Sequence, residues 1–228
     1  MSFCSPTCFR YPHFMACTTE LGEVVAAILN TPIASGYKAR LVAISGIDSS
    51  GKGFIASKLS QSLDLLGAHV ALIGIDGWLN LPPARFARDD PGRHFYKNAF
   101  RFDQMFSQLI DPLVRMGSID LLMDFTGERA DDYRKHRCVF AEVDTILLEG
   151  IFLFRRDLRS RYDLKVWIDC SFETALQRAI TRSQEGLNAE ETIAAYQTIY
   201  FPAERVHLLD DDPLAYADFI FKNDVDAH

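Results

Sequence analysis

Five short apolar runs punctuate the chain: Leu41-Val42-Ala43-Ile44, Val70-Ala71-Leu72-Ile73-Gly74-Ile75, Thr145-Ile146-Leu147-Leu148, Leu164-Lys165-Val166-Trp167-Ile168 and Ala217-Asp218-Phe219-Ile220-Phe221. Each has the length of a strand and little of the polar alternation of a half-solvated sheet. The pattern therefore predicts strands covered on both faces, as in a parallel sheet. Between them, apolar positions recur at helical spacing over 54–66, 102–116, 172–182 and 190–209. An earlier helix is capped by Thr19, carries Leu21, Val24, Val25, Ile28 and Leu29, and stops at Asn30-Thr31-Pro32. Strands alternating with helices imply βαβ units, hence a three-layer α/β/α sandwich around a mostly parallel five-stranded sheet.

Two stretches break this rhythm. Residues 77–100 are rich in Pro, Arg, Asp and aromatics, and residues 117–142 hold Arg129, Arg134, Lys135, His136 and Arg137. Long irregular segments in a compact domain are usually functional or mobile. Both follow places where a parallel sheet collects its ligands, beyond the carboxyl ends of the strands.

The most specific chemistry lies between the first strand and its helix. Gly46-Ile47-Asp48-Ser49-Ser50-Gly51-Lys52-Gly53 fits G-x-x-x-x-G-K in the strand–loop–helix setting that a phosphate-binding loop requires. Its glycines let backbone N–H groups turn inward, the helix N-terminus from Phe54 onward adds partial positive charge, and Lys52 contacts the β- and γ-phosphates. The position that usually carries a Mg²⁺-ligating Ser or Thr hydroxyl is Gly53.

Two acids follow later strands. Asp76, in Ile75-Asp76-Gly77-Trp78, can accept a proton from an attacking hydroxyl or orient a metal-bound water. Glu149 ends Ile146-Leu147-Leu148, an apolar strand closed by an acid, and so reaches a Mg²⁺ shell. Arg178 and Arg182 lie four apart on one helix face and supply positive charge for a phosphoryl group in transfer.

Composition narrows the partners. Among 228 residues, 24 Lys+Arg stand against 31 Asp+Glu, a net charge of −7 that argues against a nucleic-acid backbone binder. Neither a secretory signal nor an apolar run of membrane-spanning length is legible, so a cytoplasmic protein without a membrane partner is expected. The five cysteines (Cys4, Cys8, Cys17, Cys138, Cys170) lack zinc spacing and read as free thiols. A regulatory GTPase would need Asn-Lys-x-Asp, and Lys222-Asn223-Asp224 has the wrong order.

In chain order, the loop Gly46–Lys52, Asp76, Leu147-Leu148-Glu149-Gly150-Ile151-Phe152, Val166-Trp167-Ile168-Asp169, the Arg178/Arg182 helix, Tyr200-Phe201-Pro202 and Ala217-Asp218 resemble the uridine kinase family, and more closely its bacterial uridine-kinase-like members. The likeness runs from about residue 40 to 224. It implies a P-loop kinase fold with a small lid or substrate-binding insertion, transferring the γ-phosphate of ATP, with Mg²⁺, to the 5′-hydroxyl of uridine or cytidine. Asp76 would be the base, Glu149 with Asp76 the Mg²⁺ carboxylates, and Arg178 and Arg182 lid residues. The family carries Ser or Thr where Gly53 stands, and Tyr where Met123 precedes Asp124-Phe125, so the acceptor extends to related small hydroxyl compounds.

The resulting division is an N-terminal extension and helix over 1–39 and a kinase domain over 40–228, with acceptor-binding insertions at 77–100 and 117–142. Trp78, Arg93, Phe95, Tyr96, Arg134 and His136 are the acceptor-side candidates. The partner is a small hydroxyl acceptor, and a homo-oligomer is left open. The alternative reading is a nucleotide-binding protein with weak turnover, because Gly53 removes a metal ligand while backbone amides still hold phosphate.

Overall fold

In the computed structural model, which describes residues 20–127, 130–182 and 187–224, the five apolar runs form one parallel sheet. Its strands are β1 (Arg40–Gly46), β2 (Val70–Gly74), β5 (Thr145–Gly150), β6 (Leu164–Asp169) and β7 (Phe219–Lys222), in the order β2-β5-β1-β6-β7. Thr19, Arg129, Cys4, Cys8 and Cys17 lie outside the described residues.

Strand periodicity explains the three layers, since successive side chains point to opposite faces. Leu41 and Ala43 join Ile146, Leu148 and Trp167 in the core of one face. Val42 and Ile44 join Leu147, Val166 and Ile168 in the other, closed by Val24, Val25 and Ile28 of α1 (Leu21–Asn30) and Ala56, Leu59 and Leu63 of α2 (Lys52–Leu65). Helix α1 begins with Glu20 and Glu23 in a reciprocal capping box.

The two irregular stretches are more ordered than their composition predicts. Residues 77–100 contain α3 (Pro82–Arg85) and α4 (Pro91–Asn98), the latter started by the Asp90 side chain accepting from the Arg93 N–H. Residues 117–142 contain an antiparallel hairpin of β3 (Ile119–Phe125) and β4 (Arg134–Phe140). Arg101 ties that hairpin down, donating to the carbonyl oxygens of Leu79 at 3.2 Å and Asp124 at 2.7 Å beneath the Trp78 and Tyr133 rings.

Two long helices each survive an internal proline. Helix α5 covers 102–116 and α7 covers 189–211, with α6 (Phe172–Arg182) between them. Proline at 112 and 202 has no N–H to continue the ladder. In both cases the residue before it donates five residues back, Asp111 to Phe106 and Phe201 to Tyr196, producing one wide π turn.

Register places the acids. Ile44 of β1 lies beside Glu149 of β5, and Glu149 lies beside Gly74 of β2. The loop after β1, Glu149 and Asp76 therefore share the carboxyl edge of the sheet, with Glu149 in the middle.

Candidate active site

The phosphate loop is shaped by close backbone approach. Gly51 caps α2 with φ of +90°, and a Cβ there would lie 2.3 Å from Asn223 Nδ2. At Gly46 a Cβ would lie 2.6 Å from the Ile168 carbonyl oxygen. Both positions demand glycine. No side chain caps the α2 N-terminus, so its first amides remain available to an anion.

Buried and half-buried groups hold the loop from beneath. Asn223 Nδ2 and Arg178 Nη1 donate to the Ser50 carbonyl oxygen at 2.6 and 3.1 Å, and Arg178 Nη2 donates to the Asn223 carbonyl at 2.8 Å. Asp48 accepts from the Tyr196 hydroxyl, while the Asp48 N–H donates to Glu204 Oε1 at 3.1 Å. Lys52 is 9% exposed, with Nζ 3.8 Å from Asp48 Oδ1.

Above the loop opens a cavity of about 1180 Å³. Among the predicted residues it is lined by Asp48, Ser49, Gly51, Lys52, Gly53 and Phe54 of the loop and helix start. The acids Asp76 and Glu149 and the cations Arg178 and Arg182 line it as well. Gly46, Ile47 and Ser50 shape the turn without lining the cavity. Burial pushes the Asp76 and Glu149 carboxyls above their ordinary range; Lys52 and Arg182 oppose this, and Asp48 adds to it. The charge of Asp76 raises Glu149 further.

A second cavity of about 330 Å³ adjoins the first and shares Asp48, Asp76 and Ile151 with it. Phe86, Phe95, Phe100 and Tyr200 give it aromatic walls, and Arg85 and Glu204 add polar groups. Phe95, an acceptor-side candidate, lines this cavity. The other acceptor-side candidates are not brought to either cavity. Trp78 is fully buried against Phe125, with ring centroids 5.3 Å apart, and the Tyr96 hydroxyl donates to Asp211 at 2.5 Å. Arg93 pairs with Asp90 and Asp210, and Arg134 and His136 are exposed on β4, His136 stacked on Phe125 at 4.7 Å.

Sequence reasoning passed over Glu204, Tyr196 and Asn223. For Glu204 the signal is an acid on the buried stripe Phe201, Glu204, His207 and Asp211 of α7. Arg178 is also tied more closely to the loop than a lid role predicts, donating to the Ser50 carbonyl and to that of Asn223 behind it.

The donor set suits Mg²⁺. Two interacting carboxylates, one raising the proton affinity of the other, favour a neighbouring cation. Among the described residues no group of three or more His, Cys, Asp or Glu forms a metal cage. Mg²⁺ typically uses one or two carboxylates, waters and substrate phosphates, and needs no cage.

No protein-family model matches the chain. Uridine kinase of Macrococcus caseolyticus is 28% identical over 188 residues, 80% of this chain and 87% of that protein. Uridine-cytidine kinase A of Dictyostelium discoideum is 26% identical over 79% of this chain, which spans 35% of that longer protein. The structure of a possible uridine kinase from Bacillus stearothermophilus superposes with a TM-score of 0.68 at 24% identity, covering 88% of this chain and 96% of the other. Along most of its length this chain thus resembles proteins named uridine kinase in sequence, and it shares the fold of the solved structure.

Proposed function

We propose that the protein is an ATP-dependent kinase that transfers the γ-phosphoryl group to a hydroxyl of a nucleoside, uridine- or cytidine-like, or a related small acceptor. The reading takes it as cytoplasmic and without nucleic-acid or membrane partners; among the described residues no helix is long and apolar enough to cross a membrane. The observation that carries the proposal is that Asp76 lines both cavities, where a nucleotide on the loop side and an acceptor on the aromatic side would meet.

The chemistry follows from that placement. Loop amides and Lys52 hold the nucleotide phosphates, and the aromatic walls orient the acceptor. Asp76 takes the proton as the hydroxyl O–H bond breaks and the new O–P bond forms, ADP leaving with the electrons of the old bond. Burial raises the proton affinity of Asp76, which strengthens it as a base. Mg²⁺ held by Glu149 and Asp76 would supply charge neutralisation at the phosphates. Arg182, close enough to influence both carboxyls, adds positive charge beside them.

ADP release measured with ATP, Mg²⁺ and a panel of nucleosides and sugars tests the reading. Asp76→Asn should lower kcat by about 10²- to 10⁴-fold while leaving the KM for ATP within a few-fold. No turnover with any acceptor, or undiminished turnover in Asp76→Asn, contradicts it. Gly53 favours a second reading, a nucleotide-binding protein with weak turnover. A Cβ at this position would sit 3.9 Å from Glu149 Oε2, yet glycine offers no hydroxyl there.

A further inference from the structure

One carboxyl group of the second cavity has no part in the transfer described above. Glu204 is 1% exposed, and α7 carries it two residues beyond the proline that widens the helix. Its Oε1 accepts the Asp48 N–H at 3.1 Å. Its Oε2 is buried and has no hydrogen-bond partner among the described residues. An ionised carboxylate with one bare oxygen behind aromatic walls is unfavourable. Burial first, and then the charge of Asp48, push the Glu204 carboxyl up to about 8 despite Lys52. The group is therefore a neutral carboxylic acid at pH 7. With Oε1 already accepting, the O–H belongs on Oε2.

We propose that Glu204 recognises the phosphate acceptor, donating a hydrogen bond from Oε2–H to an acceptor oxygen other than the one phosphorylated. This rests on the kinase reading and narrows its substrate class. The acceptor must bear a second oxygen, a hydroxyl or a carbonyl, on a ring small enough for a 330 Å³ cavity. The other charged groups facing that cavity are Asp48 from the loop, Asp76 from the turn after β2 and Arg85 from α3. Asp48 is held by the Tyr196 hydroxyl and by the N–H of Ser49. A group bound to Glu204 would thus be felt one hydrogen bond away, at the phosphate loop.

The test compares wild type, Glu204→Gln and Glu204→Leu with ATP, Mg²⁺ and uridine. Leu removes the donor and should raise the uridine KM about tenfold, the equivalent of one hydrogen bond of about 1.4 kcal/mol. Gln keeps a neutral donor and should restore most of that affinity. The KM for ATP should stay within twofold in Glu204→Gln, whose amide oxygen still accepts the Asp48 N–H of the phosphate loop. In wild type the uridine KM should rise as pH passes about 8, and in Glu204→Gln this rise should be absent. Equal uridine KM values in all three proteins, or a uridine KM in Glu204→Gln as high as in Glu204→Leu, overturn the proposal.

A wild type that phosphorylates neither uridine nor cytidine defeats the nucleoside reading alone. Glu204 is then judged by infrared difference spectra of wild type and Glu204→Gln with the nucleoside and sugar panel. The carbonyl stretch of the protonated carboxyl should be present in wild type, absent in Glu204→Gln, and shifted by an acceptor. A missing band, or one that no compound moves, overturns the proposal independently of turnover.

Discussion

At residue 53 the missing atom is a single hydroxyl. The Cβ of a serine would lie in ordinary contact with Glu149, so Gly53→Ser can be made without displacing the acid. The expected outcome is a rise in kcat on the order of tenfold with the KM for ATP nearly unchanged, the size of effect typical for groups that tune a metal site. Steady-state kinetics at saturating Mg²⁺ reads it, and an unchanged kcat removes the case for weakened turnover. Glu204 makes a prediction about stability. Its carboxyl holds a proton more tightly folded than unfolded, so its contribution is complete below pH 4.5 and is lost as pH rises to about 8. Denaturant unfolding should show wild type losing up to about 1.4 kcal/mol per pH unit across that window relative to Glu204→Gln. Above pH 8 the two curves should run parallel; parallel curves throughout contradict the assignment. Asp76 and Glu149 shift in the same direction, but they are present in both proteins and cancel. The contiguous loop motif was legible residue by residue. The second cavity was not, because neighbours in sequence diverge in space: Phe95 lines it, while Tyr96 turns to Asp211.

Among the elements, α2 carries the loop's lysine and binds it to the sheet. Leu59 is fully buried in the core between α2 and the sheet. Leu59→Ala should destabilise the protein by about 2–5 kcal/mol, read as a lowered denaturant midpoint. A change below 1 kcal/mol, roughly the range of exposed sites, would mean that this face is loosely packed. The β3–β4 hairpin depends on one buried cation, Arg101. Arg101→Met should reduce hydrogen-exchange protection across 119–125 and 134–140 while leaving β1 and β5 protected. Equal loss in both sheets would show that Arg101 supports the whole fold. The inner strands β1, β5 and β6, buried on both faces, announce themselves as unbroken apolar runs, and the edge strands β2 and β7 keep that apolar composition although one face is partly exposed, so the main sheet was legible. The hairpin was not, because β4 opens with four exposed polar residues, Arg134-Lys135-His136-Arg137, and its pairing partner lies across a loop. Helix α4 escaped for a similar reason: it is eight residues long and mostly polar, and its start depends on the Asp90 cap.

For the molecule as a whole, sheet register brings three separate chain segments to one edge. Because β5 lies between β1 and β2, Glu149 stands between the loop and Asp76, and the two cavities open on either side of Asp76. That strand order could not be read from spacing, since nothing local in β5 specifies which neighbours it separates. The central claim is that nucleotide and acceptor occupy adjoining cavities with Asp76 at their junction. A crystal structure with a non-hydrolysable ATP analogue, Mg²⁺ and uridine measures this directly. The account predicts the terminal phosphate at Lys52 and the uridine between Phe95 and Tyr200, with its reacting hydroxyl within hydrogen-bond reach of Asp76. A nucleotide bound away from the loop, or an acceptor bound outside the aromatic cavity, would contradict it.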